Sequence, residues 1–144
     1  MAELPNIRVV AAVVSRDEDG GQDAPTGYAI TQYLITQRRP KAALPLLWEF
    51  PGGRVEEGET DDGALKREVR HRLGVEIETG DLISYVNHPY EHYTVDLYLY
   101  ECRIIEGEPE TLAVNAFKWV KSDDFDGVEF TPADESSMTK LLDL

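Results

Sequence analysis

Cysteine and long apolar runs are both scarce in this chain of 144 residues. The single cysteine, Cys102, cannot form a disulfide within the chain, which fits a reducing compartment. No apolar run approaches the ~20 residues that span a membrane. The first residues lack a basic segment followed by an apolar stretch, so we predict no signal peptide. These absences favour a cytoplasmic protein without a membrane partner.

Positive charge is also scarce, because 14 basic residues stand against 28 acidic ones and give a net charge of −14. Such a field repels polyanions, so we expect neither a nucleic acid polymer nor an anionic membrane as a partner. A small nucleotide remains compatible, since a metal ion or an arginine can offset the charge within one pocket. The simplest consequence of the charge is solubility, and the sequence leaves the oligomeric state open.

Alternating and β-branched runs predict a sheet. We predict strands at 7–16, 28–37, 76–80, 81–88, 93–105 and 117–122, and loops at 17–27 and 40–47. Within the run 93–105, the residues Val95, Leu97 and Leu99 alternate onto one face. The chain therefore contains enough strand-forming sequence for a sheet with two distinct faces.

Two helices complete the predicted fold. Thr60 is a suitable N-cap for a helix that runs to about Leu73 and ends at Gly74, a residue suited to the left-handed cap. A second helix opens at Pro132, which is tolerated at the first helical position. Strands with one central and one terminal helix predict a single α+β domain over residues 1–144, with helices on both faces of the sheet.

The segment Gly53–Val75 carries the most specific pattern of the chain. Gly53 is followed after five residues by Glu59 and after seven more by Arg67-Glu68-Val69. This spacing resembles the Nudix box, in which two adjacent glutamates come one residue later. Here those two positions hold His71 and Arg72. The flanking stretches 47–53, 100–109 and 129–136 also resemble the MutT-like branch of the Nudix family, so the resemblance covers nearly the whole chain.

The resemblance implies a Nudix fold, an α/β/α sandwich around a mixed sheet. It also implies hydrolysis of a nucleoside diphosphate linked to a further group. In the family, Mg²⁺ or Mn²⁺ is held by box glutamates, and the Gly52 carbonyl and Glu68 hold the matching positions in this chain. Glu59 and Arg67 match positions that brace the loop against the helix and support catalysis.

The resemblance also suggests substrate contacts. Arg38 follows the second predicted strand, where the branch often has an arginine near phosphate or base. Asp134 stands where an asparagine commonly lies against the base. Ionised aspartate only accepts hydrogen bonds, so a pyrimidine or a donor-rich purine edge would suit it, whereas a helix N-terminal charge is the alternative role. Tyr90 and Tyr93 stack on a base or pack within the strands.

The box substitutions change what the site can hold. Positions 68, 71 and 72 lie on one side of a helix, and only Glu68 is a carboxylate. His71 is a poor ligand for Mg²⁺, though acceptable to Mn²⁺ or Zn²⁺, and Arg72 cannot ligate a metal. The pair makes the site more positive by about three charge units. Ala113 lies where MutT-like proteins often carry a further glutamate, so we expect very slow hydrolysis at best.

Arg72 has three interpretations on the sequence alone. At ~100° per residue, it projects close to the buried stripe of Leu65, Val69 and Leu73, on the side of Glu68. It can form a salt bridge to Glu68 that fills an empty metal site. It can replace the metal as a phosphate clamp, or the site can be remodelled for another metal.

Three functions follow from these patterns. The first is a Nudix hydrolase with weakened or altered metal use, requiring Mg²⁺ or Mn²⁺ if active. The second is a catalytically inactive domain that binds a nucleotide as a sensor or buffer, with no metal required. The third is a scaffold for protein contacts. His88 and His92 are predicted to be surface residues and Cys102 a core thiol.

Overall fold

A computed structural model of the chain describes residues 4–19 and 29–141, and for 18–19, 29–30 and 138–141 it describes the backbone alone. The elements in chain order are β1 (Asn6–Asp19), β2 (Ala29–Gln37), β3 (Trp48–Glu49), β4 (Gly52–Arg54), α1 (Asp61–Leu73), β5 (Glu76–Pro89), β6 (Thr94–Glu106), β7 (Ala116–Lys121), a 3-10 turn (Ser122–Gly127) and α2 (Pro132–Leu141). Within these residues, no helix is long and apolar enough to cross a membrane.

The seven strands form a mixed sheet in the order β3-β2-β1-β6-β5, with β4 also paired to β1 and β7 to β2. β1 runs parallel to β6, with Val9 opposite Leu97, and the other pairings are antiparallel. β1 therefore lies at the centre of the sheet and contacts β2, β4 and β6. Because β4, which begins the box, pairs with β1, and β1 pairs with β6, the box and the segment after β3 lie close to β6.

The two helices pack on opposite faces of the sheet. Leu65, Val69 and Leu73 of α1 are fully buried against one face, as the helical spacing predicted. Ala133 of α2 is buried in a second cluster on the other face, together with Leu97 from β6. The predicted α+β sandwich is confirmed, and burial of its two apolar faces is the main force that orders it.

The ends of α1 form as the sequence predicted. The Thr60 side chain accepts a hydrogen bond from the Gly63 backbone N–H at 3.1 Å, which satisfies one of the free donors of the first turn. Gly74 has φ 73° and ψ 18°, and its N–H donates to the Arg70 carbonyl at 2.9 Å. A side chain here would strain this left-handed backbone, so glycine stops the helix.

Two strand predictions were wrong in extent. Residues 17–19 were predicted as loop, but they continue β1 because they pair with residues 29–31 of β2. The runs 76–80 and 81–88 were predicted as separate, but they form the single strand β5, in which bulges absorb the glycine and the polar residues between them. The rest of the predicted first loop, residues 20–27, lies outside the described residues, as does Tyr28, with which the second predicted strand began.

Candidate functional site

One cavity of about 220 Å³ lies between the sheet, the segment 38–50 and the beginning of α2. Its lining includes the charged and aromatic side chains of Arg38, Glu49, Arg72, Tyr90, Tyr93 and Asp134. Five of these were singled out in the sequence. The fold thus gathers residues from four distant segments at one place.

Gly52 and Gly53 bring the backbone of β4 close to its neighbours. A Cβ on Gly52 would lie 2.0 Å from the Val10 carbonyl oxygen, and one on Gly53 would lie 2.4 Å from the Glu68 side-chain carboxyl carbon. Both glycines lie in a strand without positive φ, so their backbone conformation does not require glycine. Close approach is the reason for glycine here.

Both carboxylate oxygens of Glu68 are occupied by arginines. Arg67 Nη1 donates to Oε1 at 2.8 Å, and Arg72 Nε donates to Oε2 at 3.0 Å. The Glu68 side chain is only 12% exposed and rests against Gly53. The salt bridge between Arg72 and Glu68 that one interpretation predicted is therefore present, and it uses Oε2 of Glu68.

Glu59 and Arg67 join the loop to the helix. Arg67 donates from Nε and Nη2 to the two carboxylate oxygens of Glu59 at 2.8 and 2.9 Å, and Nη2 also donates to the Arg54 carbonyl. The Arg67 hydrogen bond is the main cause that lowers the pKa of Glu59. The predicted brace is present, and it continues through Glu68 to Arg72 as a row of alternating charges.

The side chains at the box do not fit the Mg²⁺ of the family. Mg²⁺ takes oxygen ligands, usually carboxylates, in near-octahedral geometry. His71 is exposed, Arg72 is a cation, and Ala113 contributes only a backbone N–H, which donates to the Arg72 carbonyl at 3.1 Å. Among the described residues, no group of three or more His, Cys, Asp or Glu is placed to hold a metal ion.

Arg38 pairs with Glu49, a residue that sequence reasoning missed. Arg38 Nη1 donates to both Glu49 oxygens at 3.1 and 3.2 Å, and its Nε donates to the Ala43 carbonyl at 2.5 Å. Burial raises the pKa of the Glu49 carboxyl, and the charge of Arg38 opposes this effect. Glu49 occupies a two-residue strand with no periodicity. Its pairing with Thr36, two residues before Arg38, could not be read from the sequence.

Asp134 forms the buried floor of the cavity and is 5% exposed. Its Oδ1 accepts from the Phe50 backbone N–H at 3.1 Å, and its Oδ2 accepts from the Thr131 hydroxyl at 2.6 Å. Burial, with a smaller contribution from the charge of Glu49, raises the pKa of Asp134 to about 7. Asp134 thus lies in the first turn of α2 and also faces the cavity.

Tyr90 and Tyr93 form an aromatic wall of the cavity. Their ring centroids are 5.2 Å apart, and the Tyr90 hydroxyl accepts from the Ala133 backbone N–H at 3.2 Å. His88 lies beside Tyr90, with ring centroids 4.7 Å apart, so it is less exposed than the surface position we predicted. Stacking of a base on these rings remains a prediction.

Two residues near candidate positions lie away from the cavity. Arg39, the neighbour of Arg38 in sequence, donates to the Leu112 carbonyl at 2.9 Å and does not line the cavity. Cys102 is buried in the core, where burial raises the pKa of its thiol to about 11. The predicted core role of Cys102 is confirmed by its burial in the core cluster, and a thiol held in its protonated form is a poor nucleophile.

Comparison with known proteins agrees with this geometry. The model of the NUDIX domain matches residues 27–140. A putative 8-oxo-dGTP diphosphatase 2 of Mycobacterium tuberculosis H37Rv is 32% identical over 115 residues, which cover 75% of this chain and 77% of that protein. The CTP pyrophosphohydrolase of Escherichia coli K12 is 27% identical over 128 residues, which cover 89% of this chain and 85% of that protein.

The fold is also shared with solved structures. The crystal structure of a MutT protein from Methanosarcina mazei Go1 superposes with a TM-score of 0.78 at 22% identity, covering 99% of this chain and 96% of that one. Nudix hydrolases generally use a divalent metal. The matched domain, the relatives and the mixed-sheet sandwich together show that the chain belongs to the Nudix family and to its MutT-like branch.

Proposed function

We propose that this protein binds a small nucleotide in the cavity and hydrolyses it very slowly or not at all. The observation that carries the proposal is the state of Glu68, whose two carboxylate oxygens are both held by arginines. Glu68 is the one carboxylate left among the three ligand positions of the box helix. With its oxygens occupied, the site keeps a fixed cation, Arg72, where the family holds a metal.

The expected loss of rate follows from what the metal supplies. A bound metal stabilises transition-state charge by several kcal/mol and activates a water. Each ~1.4 kcal/mol corresponds to tenfold in rate, so losing this contribution slows hydrolysis by about three decades or more. An arginine can neutralise phosphate charge but cannot deliver hydroxide, because the guanidinium holds its protons and ligates no water as a metal does. Binding therefore survives where catalysis does not.

Support for base binding comes from the aromatic and acidic residues of the cavity lining. Tyr90 and Tyr93 supply aromatic faces, and Asp134 supplies acceptor oxygens at the floor. An ionised carboxylate accepts from N–H groups, so a base that presents donors is favoured, such as the cytosine amino group or the Watson–Crick edge of guanine. The nucleotides named for the relatives, 8-oxo-dGTP and CTP, both carry such donors.

The test measures binding and turnover separately. We would titrate 8-oxo-dGTP and CTP calorimetrically, and follow pyrophosphate release with Mg²⁺ or Mn²⁺, alongside Glu68→Gln. We expect binding, with turnover far below the usual 1–10³ s⁻¹ of enzymes. Turnover within that range that Glu68→Gln abolishes would overturn the proposed impairment. A folded protein that binds neither nucleotide would overturn the proposed function and favour a scaffold role.

A further inference from the structure

Positive charge is concentrated at the cavity of this acidic protein. Within the described residues, Arg38, Arg54 and Arg72 line the cavity, and the acids in the lining are Glu49 and Asp134. Arg38 is paired with Glu49, whereas Arg54 and Arg72 form no hydrogen bond to an acid of this lining in the described part of the chain. Two arginines therefore remain to meet an anionic ligand, within a chain of net charge −14.

Arg72 has hydrogen-bonding capacity to spare. Its Nε donates to Glu68 at 3.0 Å, whereas Nη1 and Nη2 have no hydrogen-bond partner within the described part of the chain. The side chain is 25% exposed and lines the cavity. The two terminal nitrogens of a guanidinium form a planar fork that matches two phosphate oxygens. Arg72 thus presents the half of its guanidinium that binds phosphate while its other half is anchored.

The anchoring extends through four residues. Glu59 holds Arg67, Arg67 holds Glu68, and Glu68 holds Arg72, each through charged hydrogen bonds of 2.8–3.0 Å. Glu68 is further confined by its contact with Gly53. A side chain already held in its binding orientation loses less conformational entropy when a ligand arrives. Arg72 can therefore pair with Glu68 and bind phosphate at the same time, although the sequence offered these two roles as alternatives.

We infer that Arg72 binds the ligand's phosphate directly and that nucleotide binding at this site needs no divalent metal. This inference rests on the proposed function and identifies the ligand as an unmetallated nucleotide phosphate. The terminal N–H groups of Arg72 take two phosphate oxygens, and the base reaches toward Tyr90 and Asp134 at the other end of the cavity. If Arg72 served only to fill the space of a lost metal, removing it would leave affinity unchanged.

The test compares binding in EDTA and in Mg²⁺. The two nucleotides used above and inorganic pyrophosphate would be titrated into the wild-type protein, Arg72→Gln and Arg72→Lys. We expect wild-type affinities within about threefold of each other in the two buffers. Arg72→Gln should weaken binding about 10- to 100-fold, as expected for charge-assisted hydrogen bonds. Arg72→Lys should fall between, because lysine keeps the charge and loses the fork.

Arg70→Gln is the matched control. Arg70 lies on the same helix, is exposed, and pairs with Glu76 outside the cavity, so affinity should be unchanged. Wild-type binding that requires Mg²⁺ would overturn the inference and leave the proposed function standing. Equal binding in EDTA by wild type and Arg72→Gln would overturn the role of Arg72 alone. Absence of nucleotide binding in every buffer would overturn both proposals. Circular dichroism melts would confirm that each variant is folded.

Discussion

The box, which lies beside the cavity, and the floor of the cavity use carboxylates in opposite ways. In the box, Glu59 and Glu68 are paired with arginines but do not line the cavity, and the pKa of Glu59 is lowered by the hydrogen bond from Arg67. At the floor, Asp134 has no arginine within hydrogen-bonding distance among the described residues, and burial raises its pKa to about 7. The box holds a row of paired charges, and the floor can exchange a proton near neutral pH.

Burial and charged neighbours explain why the pKa of Glu59 is lowered and the pKa of Asp134 is raised. Arg67 beside Glu59 favours the charged form of that carboxylate, whereas burial disfavours charge on Asp134. The paired charges lie mainly on α1, and the carboxylate with the raised pKa lies in the first turn of α2.

The largest expected effect comes from replacing Arg72, together with His71, by carboxylates that can bind a metal ion. His71→Glu with Arg72→Glu places three carboxylates on one side of α1 and removes the Arg72 hydrogen bond to Glu68. We expect Mg²⁺ to bind more tightly and Mg²⁺-dependent pyrophosphate release to rise by about three decades. Arg70→Glu, which adds negative charge to the same helix outside the cavity, serves as the control. If Mg²⁺ affinity does not change, positions 71 and 72 are not the missing ligand positions.

The second effect concerns the close packing that supports the box end. In Gly52→Ala, the new Cβ would meet the backbone oxygen of Val10 at 2.0 Å, so we expect the unfolding free energy to fall by about 2–3 kcal/mol. Gly53→Ala should cost less, because the Glu68 side chain can move, and it should disturb Arg72. Urea denaturation measures both, and Gly127→Ala, with open space around it, is the control. Equal losses in all three variants would contradict this explanation.

The third effect concerns Asp134 and the dependence of the unfolding free energy on pH. The folded-state pKa of Asp134, about 7, lies above the usual value of 3.8, so the folded protein holds the proton more tightly. This group's contribution to stability is therefore fully present below about pH 4 and is lost as pH rises toward 7 and above. In the wild-type protein, the unfolding free energy should therefore fall by about 1.4 kcal/mol per pH unit over this range, a few kcal/mol in all. Asp134→Asn should not show this fall. Unfolding free energies of both proteins at pH 5 and 8 would measure it, with Glu49 and Arg38 left in place.

An identical change with pH in wild type and Asp134→Asn would mean that Asp134 does not titrate in this window. Asparagine keeps the acceptor for the Phe50 N–H, and its amide can donate to the Thr131 hydroxyl oxygen. The variant should therefore fold, which leaves the pH dependence as the quantity that changes.

The smallest effect separates stacking from packing at the aromatic wall. Tyr90→Phe keeps the ring beside Tyr93 and removes the acceptor for the Ala133 N–H. We expect stability to fall by about 1 kcal/mol, with nucleotide affinity within about threefold of wild type. Tyr90→Leu, which fills similar space without an aromatic face, should lose affinity. Equal affinities for the phenylalanine and leucine variants would show that no base stacks there.

Features that depend on neighbouring residues could be predicted from the sequence. The caps of α1 at Thr60 and Gly74 are local chemistry, and the burial of Leu65, Val69 and Leu73 follows from helical spacing. The pairing of Arg72 with Glu68, one of the three interpretations that the sequence allowed, joins residues four apart on the helix. These predictions were confirmed because each requires only one turn of chain or one repeating pattern.

Features that depend on distant residues were decided by the tertiary structure. Glu49 meets Arg38 only because β3 pairs with β2, and Asp134 accepts from Phe50 across 84 residues of chain. The raised pKa of Asp134 comes from burial, which no local pattern records. Glycine is needed at position 53 because the Glu68 side chain leaves no room for a Cβ, and not because of the backbone conformation. The sequence by itself determined the family and the helix of the box with His71 and Arg72 on it, because both depend on local patterns. Packing across the sheet decided which charged side chains line the cavity, because those residues are far apart in the chain.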